Sequence, residues 1–224
     1  MNFIAIEGLD GAGKSTQVSL LQQHLQSAGV QCKYIHFPRV ASEVWGELIA
    51  KFLRGDLGKI SDVNPYLVAL IYAEDRHAAA AEISAWIREG YFVIVDRYVY
   101  SNVAFQCAKL PDADECSKLR GWILDLEYAH FKIPKPQLSL FLDVPFAFTQ
   151  KNLSEQRCGD DRQYLNGKED IHEADLDFQR AVRRIYLAQP ALDPDFRAIT
   201  CCSEQGEMLK PEQTFAKIKK ALGM

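Results

Sequence analysis

Gly8-Leu9-Asp10-Gly11-Ala12-Gly13-Lys14-Ser15 fits the spacing GxxxxGK[ST], with a strand-like run before it and a helical pattern after it. The run is Asn2–Ile6; the pattern is Lys14–Ala28, with Val18, Leu21 and Leu25 on one face and Gly29 as its stop. Phosphate binding needs this arrangement. Glycines let successive backbone N–H groups converge on one concavity, and the helix that starts there adds partial positive charge. Lys14 is spaced to reach β- and γ-phosphates, and the Ser15 hydroxyl to ligate Mg²⁺. The stretch reads as a nucleoside triphosphate site formed by Gly8, Gly11, Ala12, Gly13, Lys14, Ser15 and Thr16. Asp10 would repel phosphate. It is either a turn aspartate satisfying local N–H groups or a residue facing away, toward a second substrate.

Outward from this loop, β-type runs recur at Gln31–His36, Tyr91–Val95, Gln137–Asp143 and Phe196–Cys201. Helical patterns alternate with them at Glu43–Arg54, Pro65–Arg88, Ala113–His130, Asp170–Leu187 and Glu212–Leu222. Such alternation implies right-handed crossovers and a parallel sheet covered on both faces. The runs FVIV at 92–95 and LSLFL at 138–142 are mostly apolar throughout, as strands buried on both faces should be. The expected fold is α/β, a five-stranded parallel sheet with helices on both faces. A length of 224 residues at 48% hydrophobic supplies one sizeable core, so 1–224 is expected to be a single domain.

Charge and cysteine usage exclude several classes. Lys plus Arg number 26 against 30 Asp plus Glu, and the net −4 argues against a nucleic acid polymer as partner. The longest apolar stretch, Tyr66–Ala73, is far short of a membrane span, and MNFIAIEGLD lacks the layout of a signal peptide. Six cysteines without CxxC spacing read as reduced thiols, which implies a cytoplasmic protein. Trp45, Trp86 and Trp122 fall on helical patterns and are expected to pack. His172 is expected in the first turn of a helix, capped by Asp170 with Glu173 reaching back.

The strand Tyr91–Val95 runs into Asp96-Arg97, where side chains at the carboxyl end of a parallel strand face the ligand crevice. Asp96 there suits Mg²⁺ and Arg97 suits a phosphate; a structural ion pair is the alternative. Arg39 occupies an equivalent edge, with phosphate binding and a surface ion pair both open. Tyr72 and Arg76, four apart on one helix face, are either plain packing or a base-stacking platform with an edge donor. Between Lys151 and Arg184, seven basic and eight acidic residues leave the first half of the segment little to bury. It reads as a solvated connection or as a mobile lid, at about 151–170, whose arginines meet an anionic ligand.

Together these pieces resemble the thymidylate kinases. The matching stretches are EGLDGAGKST at 7–16, FPR at 37–39, LIYAEDR at 70–76, DRYVYSNVAFQCAK at 96–109, KPQLSLFLDV at 135–144 and DRQYLNG at 161–167. The block DRY-x-x-S-N with its upstream Tyr-x-x-x-Arg is the narrowest of them. The resemblance implies a P-loop NTPase fold and ATP-dependent phosphorylation of dTMP to dTDP, with Mg²⁺ as cofactor and a homodimer as assembly. It implies that Asp10 binds the 3′-hydroxyl, Tyr72 stacks on thymine, and Arg76 and Asn102 read the base edge. Arg39 and Arg97 would hold the monophosphate, with Phe37, Ser101 and Gln106 in the same pocket, while Phe105 and Tyr164 crowd the sugar's 2′ position. Two departures stand out. Gly11 follows the loop aspartate where one form of the family has an arginine, so Arg157 and Arg162 of the lid become the expected catalytic guanidiniums. Val40 occupies the position where the FPxR motif places its arginine. Rival readings are a kinase of another nucleoside monophosphate or of a deoxynucleoside, and a non-catalytic nucleotide switch. A hydroxyl acceptor would want a carboxylate base, which FPRVAS does not offer before Glu43; a guanine switch would want NKxD, which is absent.

Overall fold

The computed structural model describes residues 1–154, 165, 170–173 and 175–224; the expected lid residues Arg157, Arg162 and Tyr164 lie outside the described residues. Five parallel strands, β1 (Phe3–Glu7), β2 (Cys32–His36), β3 (Phe92–Asp96), β4 (Leu138–Asp143) and β5 (Phe196–Thr200), form one sheet in the order β2-β3-β1-β4-β5. Every residue of β1 and β3 is buried, because helices cover both faces. The edge strands β2 and β5 keep exposed positions. The helices are α1 (Lys14–Ser27), α2 (Trp45–Leu53), α3 (Pro65–Arg88), α4 (Val99–Cys107), α5 (Ala113–Leu124), α6 (Phe146–Ser154), α7 (Leu176–Ala188) and α8 (Pro211–Leu222).

Alternation along the strands builds two cores. Phe3, Ala5, Val93, Val95 and Phe141 pack with residues of α3, α4, α5 and α7 on one face. Ile4, Ile6, Ile94 and Leu140 pack with Val18 and Leu21 of α1 and Ile218 of α8 on the other. β1 therefore leads into a helix on one face and its neighbour β3 into a helix on the opposite face. Ligands of open α/β sheets bind in the crevice that such a divergence opens. The register Ile6↔Asp96 brings the glycine-rich loop and Arg97 together at that crevice.

Several boundaries differ from the sequence reading. The pattern Ala113–His130 is α-helical only to Leu124 and continues as a π-helix over Asp125–His130. α7 begins at Leu176 with Asp175 as N-cap, its carboxylate accepting from the Phe178 N–H. His172 is therefore not in a helix. Asp170 Oδ1 accepts from the His172 N–H at 2.8 Å in a turn ahead of α7. α4 had no legible pattern, since all nine of its residues are buried and no polar face marks a period. Trp86 and Trp122 pack against the larger core, and Trp45 opens α2 half-buried. Among the described residues the cysteines are free thiols.

Lys109, just after α4, is anomalous. Its ammonium lies over the Phe52 ring, 4.6 Å from the centroid, with no hydrogen-bond partner among the described residues. Burial pushes its pKa down to about 7. The native state then binds fewer protons than the unfolded chain between pH 7 and 10.5, so this group makes stability rise with pH there. Lys109→Met is expected to stabilise the protein at pH 6 by roughly 2–4 kcal/mol, the full linkage value being reduced by partial solvent access. The gain should shrink as pH rises from about 7 toward the ordinary lysine pKa of 10.5, leaving little of it at pH 10. Urea unfolding at pH 6 and at pH 10 checks this; an equal gap at both would refute it.

Candidate active site

The turn between β1 and α1 holds Gly11 at φ 74 and Gly13 at φ 77, a left-handed backbone that glycine adopts without steric cost. Gly13 is the N-cap of α1 and offers no side-chain acceptor, so the first N–H groups of the helix stay available to an anion. Gly11, Ala12, Gly13, Lys14, Ser15 and Thr16 line one end of a cavity of about 720 Å³. Lys14 is buried among them, its Nζ donating to the Leu9 carbonyl at 3.1 Å. Gly8 does not reach the cavity. A Cβ there would stand 3.2 Å from Ala12 Cβ and 3.3 Å from Lys14 Cγ, so its part is to let the loop close over the lysine stem.

Arg97 follows β3 with φ 66, a conformation that costs a non-glycine residue on the order of 1–3 kcal/mol. Cross-links hold it there. Its N–H donates to the Ile6 carbonyl at 2.9 Å, Nη2 to Asp10 Oδ1 at 2.7 Å and Nη1 to Ser101 Oγ at 3.3 Å. The second oxygen of Asp10 accepts from Gln179 Nε2 at 3.1 Å. Asp10 thus bonds across the fold rather than within its turn, which disposes of the turn-aspartate alternative. Burial would raise its pKa, but Arg97 and then Lys14 outweigh that and hold the carboxyl well below the usual range. Behind them, Glu7 accepts from the Tyr98 N–H at 3.0 Å, from Ser101 Oγ at 2.5 Å and from the Tyr186 hydroxyl at 3.0 Å. Burial nevertheless pushes the Glu7 pKa up, beyond what these bonds and the charge of Arg97 restore.

Asp96, the last residue of β3, has Oδ2 within 3.3 Å of His36 Nδ1 and 3.4 Å of the Tyr34 hydroxyl. Its Oδ1 is buried without a partner among the described residues. Burial works against its charge, yet Lys14 and His36 keep the pKa below the ordinary value, so the group is an anion. An ionised oxygen beside the phosphate loop suits a hard cation that takes one or two protein ligands and completes its shell from phosphates. Ser15 and Asp96 are the residues that fit.

The same cavity is also lined by Phe37, Tyr72, Arg76, Asn102, Phe105 and Gln106. Arg76 is buried and doubly bonded to Glu127, Nε to Oε2 at 2.5 Å and Nη2 to Oε1 at 2.7 Å. Asn102 Nδ2 donates to the Ala69 carbonyl at 2.9 Å and to Glu127 Oε1 at 3.1 Å. The carbonyl oxygens of Asn102 and Gln106 are buried without partners. His172 also faces this cavity, caged by Phe52, Phe105 and Phe178 at centroid distances of 5.0–5.3 Å. Burial and then the Lys109 charge push its pKa down to about 3, so it is a neutral ring.

One expected ligand is absent from the cavity. Arg39 donates from Nε to Asp75 Oδ1 at 2.9 Å and from Nη2 to the Asp75 carbonyl at 2.7 Å, and its N–H bonds Oδ2 at 2.8 Å. Asp75 is 1% exposed and needs a countercharge, which Arg39 supplies in this structure. Glu127, Glu7 and Gln179 escaped the sequence reading, and His172 was read only as part of a helix turn. Glu7 lay inside the quoted loop block without an assigned role; nothing local distinguishes Glu127 or Gln179 from surface residues.

Comparison with known proteins agrees with this geometry. A family model described as thymidylate kinase matches residues 6–210. The chain is 33% identical to the thymidylate kinase of Mycobacterium tuberculosis over 184 residues, 82% of this chain and 83% of that one. It is 31% identical to a probable thymidylate kinase of Pyrobaculum aerophilum over 219 residues, 94% of this chain and 97% of that one. The solved thymidylate kinase of Candida albicans superimposes with a TM-score of 0.71 at 26% identity, covering 98% of this chain and 90% of that chain. With the family model spanning most of its length, this chain belongs to the thymidylate kinase family.

Proposed function

We propose that the cavity aligns ATP and dTMP end to end and passes the γ-phosphoryl group between them, giving ADP and dTDP. One observation carries the reading: a single cavity is lined both by a phosphate loop and by an aromatic, amide and guanidinium cluster, with Lys14 and Arg97 among its lining. An acceptor phosphate is already largely ionised near neutral pH, so no general base is required; the demand is charge neutralisation and in-line placement. Glu7, the carboxylate at the end of β1, is 0% exposed and does not line the cavity, which speaks against a hydroxyl acceptor activated there.

In this proposal the Gly11–Thr16 backbone and Lys14 hold the triphosphate, and Arg97 and Ser101 meet the monophosphate. Tyr72 stacks on the base, Arg76 and Asn102 read its edge, Phe37 and Gln106 complete the wall, and Phe105 crowds the sugar. Asp10 takes the 3′-hydroxyl. Ser15 and Asp96 would hold Mg²⁺, which would supply positive charge to offset that of the phosphates. Arg157 and Arg162 supply the remaining positive charge, with Tyr164 beside the sugar. The enzyme is proposed to be a single-domain cytoplasmic homodimer; no described helix is long and apolar enough to cross a membrane.

ADP production with ATP, Mg²⁺ and each of dTMP, dUMP, ribo-TMP, dCMP and thymidine tests the reading. The expected order places dTMP first and dUMP within a factor of about 10–200, since one methyl in an apolar pocket is worth only about 1–3 kcal/mol. Preference for thymidine over dTMP would overturn it.

A further inference from the structure

Glu127 touches both proposed readers of the base and is itself sealed from the cavity. It is 0% exposed, and its two oxygens accept from Arg76 Nε, Arg76 Nη2 and Asn102 Nδ2 at 2.5, 2.7 and 3.1 Å. A buried Arg–Glu pair is a poor way to gain stability, because desolvating both charges offsets most of their attraction. Its geometric consequence is larger. Both partners of Asn102 Nδ2, the Ala69 carbonyl and the Glu127 carboxylate, are acceptors only, so the amide cannot turn over without facing oxygen to oxygen. Neither partner lines the cavity, whereas Asn102 does, and its Oδ1 is buried with no partner among the described residues. The amide therefore has an acceptor, and no donor, left for a ligand. Arg76 is constrained in the opposite sense: Nε and one N–H of Nη2 are held by Glu127, and the guanidinium has only donors, on Nη1 and Nη2, left to offer.

We infer that Glu127 is a positioning residue that sets the choice of pyrimidine by holding Asn102 as an acceptor and Arg76 as a donor toward the cavity. This rests on the dTMP reading above. Thymine offers a donor at N3 and an acceptor at O4, complementary to that pair. Cytosine offers an acceptor at N3 and a donor at N4, so it meets acceptor with acceptor and donor with donor. A site built to hydrogen-bond one pattern rejects the other strongly, because its buried polar atoms are left unpaired. The π-helix over Asp125–His130 is the element that carries this carboxylate. Without the carboxylate, the amide and the guanidinium are both free to reorient and the discrimination relaxes.

The test compares kcat/KM for dTMP and for dCMP in wild type, Glu127→Gln and Glu127→Asp. In Glu127→Gln the dTMP/dCMP ratio is expected to fall at least tenfold, through loss on dTMP and gain on dCMP, with KM for ATP within twofold of wild type. Glu127→Asp keeps the countercharge of Arg76 but withdraws the carboxylate by one methylene, and should show a smaller fall. It carries the test alone if the glutamine variant does not fold. A purely structural role would lower the folded fraction and scale both nucleotides together. An unchanged ratio in the folded variants overturns the inference. A wild-type enzyme inactive on dTMP would instead overturn the functional reading on which it rests.

Discussion

Arg97→Met is expected to lower kcat/KM for dTMP by about 10³-fold or more, the scale on which a guanidinium at a transferring phosphoryl group acts. Preorganisation is the reason. The guanidinium is fixed before substrate arrives by Asp10 at 2.7 Å, by Ser101 at 3.3 Å and by the Phe105 ring, 5.2 Å from its centroid, so little reorganisation is needed when phosphate arrives. Arg97→Lys keeps the charge but loses the fork that spans Asp10 and Ser101, and is expected to recover only part of the rate. A stability signature accompanies the kinetic one. Asp10 titrates below its unfolded value in the native state, so its contribution is present above the ordinary aspartate pKa and lost as pH falls through the lower native one. Removing Arg97 abolishes most of that contribution. Wild type and Arg97→Met should therefore differ more in unfolding free energy at pH 7 than at pH 3. Turnover of Arg97→Met within tenfold of wild type would show that this guanidinium does not meet the phosphate.

The parts of this site legible in the chain are those where chemistry and local backbone coincide. The glycine-rich loop announces itself because its conformation demands glycines at fixed spacing, and Asp96-Arg97 because a buried apolar strand ends in two charges. α3 was readable residue for residue, since Pro65 at its first turn follows the capping Asn64. What stayed hidden depends on contacts distant in sequence. Arg39 sits next to a motif that suggests phosphate, but its fate is decided by Asp75, 36 residues away on another element. Glu127 lies 51 residues from Arg76. Its burial follows from a π-helix that no apolar period predicts. His172 looked like a capped first turn because Asp170 and Glu173 have the right spacing. The helix starts later because Asp175 caps it, four residues ahead of the buried Gln179 and seven ahead of the buried Val182.

The double variant Arg157→Ala/Arg162→Ala is expected to lose turnover on the order of 10³-fold while KM for dTMP moves only a few-fold. The argument is one of charge. Among the described residues, the Lys and Arg side chains that line the cavity are Lys14, Arg76 and Arg97. Arg76 is committed to Glu127 at the base end, and Arg97 is shared with Asp10. Two nucleotides that must bring their phosphates into contact carry more negative charge than Lys14, Arg97 and a magnesium ion neutralise. The loop itself has nothing further to offer, because Gly11 stands at the position where an arginine could have reached the transferring group. The chain returns to that spot. Asn152, near the end of α6, donates to the Gly11 carbonyl at 2.8 Å, and Arg157 follows five residues later. An interaction made only at the transition state lowers kcat without weakening the ground-state complex, which separates this role from simple nucleotide binding. Steady-state kinetics with both substrates varied decides it. Near-normal turnover in each single variant and in the double variant would place the missing charge elsewhere.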